Sequence, residues 1–193
     1  MLSDLGIRKD WTYETIITCY NDDLPHAAPF GIKSPDMKII QIEMYKGSIT
    51  LASILDKNEF VVNFVSDPVY FYHSLYNRDQ LGFTEAKNVK APIIGDCPAF
   101  MEAKIINSVE KAQSFLFDAE IVHIEIVNTP RLINRAESLV IESLIIATRV
   151  DHMPEGRAAE LLKENHRIIK KVAPGSRHVD IMENLLNKCS ILK

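Results

Sequence analysis

Between residues 11 and 127 the chain is a run of short β-like segments, several with alternating side chains, joined by turns and by short helical stretches. The pattern predicts antiparallel strands, beginning with a hairpin. Only two short helical stretches interrupt it, which predicts a barrel with helices rather than a doubly wound sheet. The first segment, residues 11–20, sets Trp11, Tyr13, Thr15, Ile17 and Cys19 on one face and a more polar set on the other. Residues 21–25 form a turn cluster, and residues 26–33 return as the second arm of a hairpin. Residues 37–45 predict a third strand with Ile40, Ile42 and Met44 on one face. Residues 49–57 read as a short helix with Leu51, Ile54 and Leu55 inward, and residues 59–65, apolar on both faces, as a central strand. Asp67 and Pro68 then cap and open a second helix to about Tyr76, whose Tyr70, Phe71, Tyr72 and Tyr76 read as core filling. Residues 77–97 read as irregular, and two long strands follow, at 99–109 and 114–127.

Composition changes at Thr129-Pro130, where a helix to residue 148 begins, with Leu132, Ala136, Leu139, Ser143 and Ala147 at helical spacing. Ile141, Ile145 and Ile146 make it apolar over much of its circumference, as expected of a helix buried in a core or a subunit interface. Helices at 155–172 and 177–188 complete a helical extension, 129–193, on a barrel domain, 1–128. With 47% hydrophobic residues in 193 the chain can fill a core. Its net charge of −4 gives no broad electrostatic case for nucleic acid. Arg167, Lys170 and Lys171 share their helix with Glu155, Glu160 and Glu164 and read as a solvated face. Cys19, Cys97 and Cys189 are far apart and in no CxxC pair, which argues against a disulfide framework and against a zinc site. The first ten residues are too polar for a secretory leader, and no uncharged apolar stretch reaches the roughly 18 residues of a membrane span. The expectation is a cytoplasmic protein.

The segment Tyr45-Lys46-Gly47-Ser48-Ile49-Thr50 lies between a strand and a helix start. A glycine permits a bend with positive φ. Unpaired helix-start N–H groups, the Ser48 and Thr50 hydroxyls and the Lys46 ammonium together suit an anion, with phosphate the obvious guest. The competing reading is that Ser48 merely caps the helix and Lys46 is solvated. No G-x-S-x-G elbow and no H-E-x-x-H signature occurs, and Cys19 has no adjacent base. The chemistry therefore points to a phosphorylated cofactor rather than to a protein nucleophile or a metal.

Three motifs carry a resemblance. Residues His26-Ala27-Ala28-Pro29-Phe30-Gly31 resemble an Asn-x-Ala-Pro-Phe-Ser stretch on a second strand; Thr50 and Ser53 stand ahead of Phe60-Val61-Val62-Asn63; and a proline-containing segment runs from Lys90-Ala91-Pro92 to Pro98-Ala99-Phe100-Met101-Glu102. Over residues 10–128 the chain resembles the FMN-binding split barrel, in its flavin-reductase-like branch. With its helical tail it is more similar still to a mostly archaeal family of FMN-binding split-barrel proteins, for which no activity is established as a class. The resemblance implies FMN, a homodimer with flavin at the subunit interface, and flavin-dependent oxidation or reduction of a small molecule. The alternatives are a flavin carrier or sensor without turnover, or a barrel that holds a deazaflavin or haem.

FMN presents a phosphate, a polar ribityl chain and a flat ring. The phosphate is expected at Ser48, Thr50 and Ser53, with Lys46 adding charge; Thr50 and Ser53, three apart, share a helix face. The ring is expected against Ala27, Ala28 and Pro29, with Thr18 opposite, within reach of the ring edge or ribityl. Asn63 either contacts the cofactor or ties its strand to its surroundings, and His26 either touches the ring or is exposed at the hairpin end. His73, on the aromatic helix, carries the same two readings, and Arg149, Arg177 and His178 are candidates for an anionic substrate. Ser53 replaces an Asn of the family pattern and Gly31 a Ser, which removes donors near the phosphate and the ring.

Overall fold

The structure, a computed structural model, describes residues 2–191, with side chains through residue 187. It falls into two compact units: Met1–Lys9 with Tyr13–Ile133, and Asp10–Thr12 with Asn134–Lys193.

The first unit is a closed antiparallel barrel of six strands in the order β1-β2-β3-β8-β7-β4. These are β1 (Tyr13–Asn21), β2 (Leu24–Lys33), β3 (Ile39–Tyr45), β4 (Glu59–Phe64), β7 (Ala99–Glu110) and β8 (Ser114–Ile126). A separate pair, β5 (Phe83–Glu85) and β6 (Pro92–Ile94), occupies the stretch expected to be irregular. Helix α1 (Ile49–Lys57) lies between β3 and β4, and α2 (Pro68–Tyr76) follows β4.

β1 starts at Tyr13 rather than Trp11, and both its faces are buried, not one. Ile17 and Cys19 share a face with Phe60, Val62 and Met101 through the strand register, and all are at most 1% exposed. On the opposite face Ile16 joins Ala27, Val61 and Phe100 beneath Leu81, Val89, Ala91, Ile93 and Ile94. The polar alternation of β1 is thus covered by chain some seventy residues later. The aromatics of α2 divide in the same way. Tyr70 and Phe71 pack on that outer cluster, whereas Tyr72 and Tyr76 are exposed, which corrects the expectation that all four fill the core.

The second unit holds α3 (Arg135–Ala147), α4 (Arg157–Val172) and α5 (Arg177–Ile191). Helix α3 begins five residues later than Pro130 suggests, because Asn134 is its cap. The Asn134 Oδ1 accepts from Ala136 N at 2.8 Å, while its Nδ2 donates to the Thr12 and Val172 carbonyls. Ala136, Val140, Leu162, Ile169, Val172, Val179 and Met182 form the core of this unit, with Trp11 packed on it. Ile141 and Leu144 are exposed, so α3 is not buried around its whole circumference. No described helix is long and apolar enough to cross a membrane. Cys19 and Cys97 are buried thiols, and the side chain of Cys189 lies outside the described residues.

Candidate functional site

The barrel is least complete at β2. This strand pairs with β1 along its length but meets β3 only at Ile32 and Lys33. From Leu24 to Gly31 its outer edge carries no strand. The Ala27 carbonyl is turned to that edge, where it accepts from a side chain, so the alternate positions 25, 27, 29 and 31 face outward. Two of these are Pro25 and Pro29, which lack an N–H and prevent another strand from adding there. Ala28, Pro29 and Gly31 are half-buried, whereas Ala27 is fully buried and its carbonyl is taken by Arg78.

At one end of this edge sits a polar cluster. Gly47 turns the chain with φ +87°, and Ser48 takes the N-cap, accepting from Leu51 N at 3.2 Å. This bend starts α1, whose Thr50, Leu51, Ser53 and Ile54 turn inward. The Thr50 hydroxyl meets His26 Nε2 at 2.9 Å, and the Ser53 hydroxyl lies 3.5 Å from Asn21 Oδ1. His26 is the cross-strand partner of Cys19 and only 5% exposed, so it is not a solvated hairpin-end residue. Burial, and next the positive charge of Arg78, push its imidazole down to about 4. Burial raises the Cys19 thiol to about 11, which keeps it from acting as a thiolate nucleophile near neutral pH.

Arg78, just past α2, was invisible as a site residue in the sequence. Its Nε donates to Ala27 O at 3.2 Å and to Ser74 O at 3.0 Å, which fixes the guanidinium against β2. The polar run Asn77-Arg78-Asp79-Gln80 after an aromatic helix was the available signal, and it reads equally as a turn.

Other expected site residues serve the barrel. Asn63 is fully buried, and its Nδ2 donates to Ile16 O at 3.1 Å and Thr18 Oγ1 at 2.9 Å while its Oδ1 accepts from Ile94 N at 2.9 Å. Of its two readings the structure takes the tie. Thr18, also fully buried, donates to the Pro92 carbonyl, so its hydroxyl has no surface for a ring edge or ribityl. Lys46 is held by Glu110 at 2.5 Å and lies 5.6 Å from the centre of the Phe115 ring. The structure therefore brings together His26, Thr50, Ser53 and the β2 edge, and commits Thr18, Lys46 and Asn63 elsewhere. His73 stacks edge-on against Tyr72, and His178 against Trp11 in the second unit. A cleft of about 610 Å³ between Tyr20, Asp23, Glu59 and residues 85–91 contains none of the expected site residues. Two of its carboxylates are engaged, Asp23 with the Lys90 ammonium and Glu59 with the Lys90 backbone N–H.

Comparison with known proteins places this geometry. A curated protein of Methanocaldococcus jannaschii, "uncharacterized protein MJ1453", is 25% identical over 192 residues, covering 93% of this chain and 98% of its own. The crystal structure of the FMN-bound protein MM1853 from Methanosarcina mazei matches 97% of this chain and 99% of its own, with 24% identity and a TM-score of 0.58. The Streptomyces globisporus NADH:FAD oxidoreductase SgcE6 matches 63% of this chain and 79% of its own, with 16% identity and a TM-score of 0.55. The barrel is thus the flavin-reductase-like split barrel, here with C-terminal helices. The model of the N-terminal domain of the family described as protein of unknown function DUF447 matches residues 13–128, its C-terminal counterpart matches residues 134–187, and the chain belongs to that family.

Proposed function

We propose that this chain binds FMN along the open edge of β2 and acts, in the cytoplasm, as a flavin-dependent oxidoreductase on a small molecule. The observation that carries the reading is the stretch Leu24–Gly31, which no strand pairs on its outer side and whose His26 bonds Thr50 of α1. The lining suits the group: a flat ring needs a smooth edge of small residues, and the half-buried Ala28, Pro29 and Gly31 supply one. The phosphate belongs at the α1 start, where Gly47 opens the turn and the half-buried Ser48 carries a hydroxyl. Bound FMN would supply hydride or electron transfer, and the protein would bind, orient and shield it.

The protein's own groups do not offer a proton near neutral pH at this place, since His26 is held neutral and Cys19 protonated. That favours chemistry confined to the flavin, and it is also the observation that keeps a non-catalytic carrier as a second reading. A homodimer with flavin at the interface is part of the proposal. The exposed Ile106, Val109, Val122, Ile126 and Val127 on and after β7 and β8 support it, being apolar surface of the kind subunits cover.

The test is an absorption spectrum of the purified protein before and after incubation with FMN, followed by anaerobic NADH or NADPH. Retained flavin that is reduced supports the oxidoreductase. Flavin that resists both donors favours the carrier. A protein that stays colourless refutes the proposal. Light scattering of the eluted protein, with and without FMN, decides the dimer.

A further inference from the structure

We propose that Arg78 is the anion-binding residue of the β2 edge and that it grips a phosphate monoester through its terminal guanidinium nitrogens. The identification of that phosphate with the one on FMN rests on the function proposed above; the anion site itself rests on geometry. Arg78 uses only Nε internally, on Ala27 O and Ser74 O. Both terminal nitrogens, which carry four of the five guanidinium donors, make no hydrogen bond or ion pair among the described residues.

Three other cations of this unit are engaged. Lys46 pairs with Glu110, Lys57 with Asp56 and Lys90 with Asp23. Its neighbour Asp79 accepts from Gln80. A guanidinium anchored at Nε has its plane and direction set before any ligand arrives, so little side-chain freedom is lost on binding. Planar forked donors match two oxygens of a phosphate, which a lysine cannot do.

Position completes the argument. Ala27 and His26 are adjacent on β2, so Arg78 is fixed one residue from the histidine that pairs with Thr50. The charge of Arg78 acts on His26, which stays neutral and does not add a second cation. The phosphate therefore meets one guanidinium, fixed at the Ala27 carbonyl. Arg78 thus takes the role that spacing alone suggested for Lys46.

The experiment compares wild type with Arg78→Ala and Arg78→Lys by calorimetric titration of FMN, riboflavin and inorganic phosphate. Loss of a charge-assisted contact to phosphate is expected to raise the Kd for FMN about 10- to 100-fold in Arg78→Ala. Riboflavin affinity should stay within about twofold, and inorganic phosphate binding should disappear. Arg78→Lys should recover part of the FMN affinity, because charge returns without the fork. Far-UV circular dichroism and an upward shift of the His26 titration, followed by NMR, check that the Ala variant is folded and has lost the neighbouring charge. FMN affinity unchanged, equal loss for FMN and riboflavin, or phosphate binding that survives Arg78→Ala would each overturn the assignment. A wild-type protein that takes inorganic phosphate through Arg78 but no FMN would keep the anion site and defeat the flavin reading, leaving a phosphorylated substrate as its source. A wild-type protein that binds none of the three would defeat both.

Discussion

Replacing Asn63 with Ala should unfold the barrel's outer wall before it alters any ligand site. The side chain is fully buried and makes three bonds that tie β4 to two other strands: to Ile16 O and Thr18 Oγ1 on β1, and from Ile94 N on β6. In the variant the Ile94 N–H, itself 1% exposed, has no acceptor. A buried donor left unsatisfied costs about 1–3 kcal/mol, and each of the two remaining bonds contributes about 0.5–1.5 kcal/mol. The sum is about 2–6 kcal/mol, a large part of the ~5–15 kcal/mol that holds a domain together. With an m-value near ~2 kcal/mol/M this moves the urea midpoint down by about 1–3 M. Far-UV circular dichroism is the appropriate probe, since the single tryptophan, Trp11, belongs to the second unit. Thr18→Val tests the same network, and the double variant should fall short of the sum of the two singles by about 1 kcal/mol, because they share one bond. A loss below about 1 kcal/mol in Asn63→Ala, or a fall in FMN affinity at unchanged stability, would refute the structural role.

His26 should make stability depend on pH. Its imidazole titrates at about 4 in the folded chain against about 6.5 when unfolded. Above about 6.5 both states are neutral and the group contributes no slope; as pH falls from there toward 4 the unfolded chain takes the proton first, and stability drops by about 3 kcal/mol in all. Arg78 and Cys19 are the titratable groups facing it, and neither changes charge in that window. His26→Gln should remove this drop in urea titrations at pH 4.5 and 7, and an identical pH slope in wild type and variant would refute the argument. Glu102, 1% exposed, accepts from the backbone N–H groups of Lys87, Asn88 and Val89. Glu102→Gln should destabilise the barrel by about 2 kcal/mol and speed hydrogen exchange at those three amides; unchanged exchange would show that the loop holds itself.

The strands were legible because their signal is local. A period of two is written within eight or nine residues, and β3, β4, β7 and β8 lie within a residue or two of where alternation puts them. β5 and β6 were not legible, since each has three residues and no period can be read from three. The even face of β1 was misjudged for a related reason. Whether Ile16 and Thr18 are inside depends on the segment around Leu81–Ile94 coming to lie on them, and nothing near residue 16 encodes that.

The same distinction separates the expected residues that the fold brings together from those it engages elsewhere. The turn at Gly47, the Ser48 cap and the inward face of Thr50 and Ser53 are consequences of three or four neighbouring residues, and all are found. Lys46, Thr18 and Asn63 were assigned from local position and motif, and each is engaged by a partner 30 or more positions away: Glu110, Pro92 and Ile94. Arg78 is the converse case. It belongs to the site only because β2 presents the Ala27 carbonyl to it across 51 positions. A sequence supplies more groups able to bind a phosphate than the fold leaves uncommitted. What selects among them is the hydrogen-bond accounting of the barrel: groups whose polar atoms the wall requires are withdrawn. By that criterion a guanidinium bound only through Nε is the better candidate than an ammonium already paired with a carboxylate.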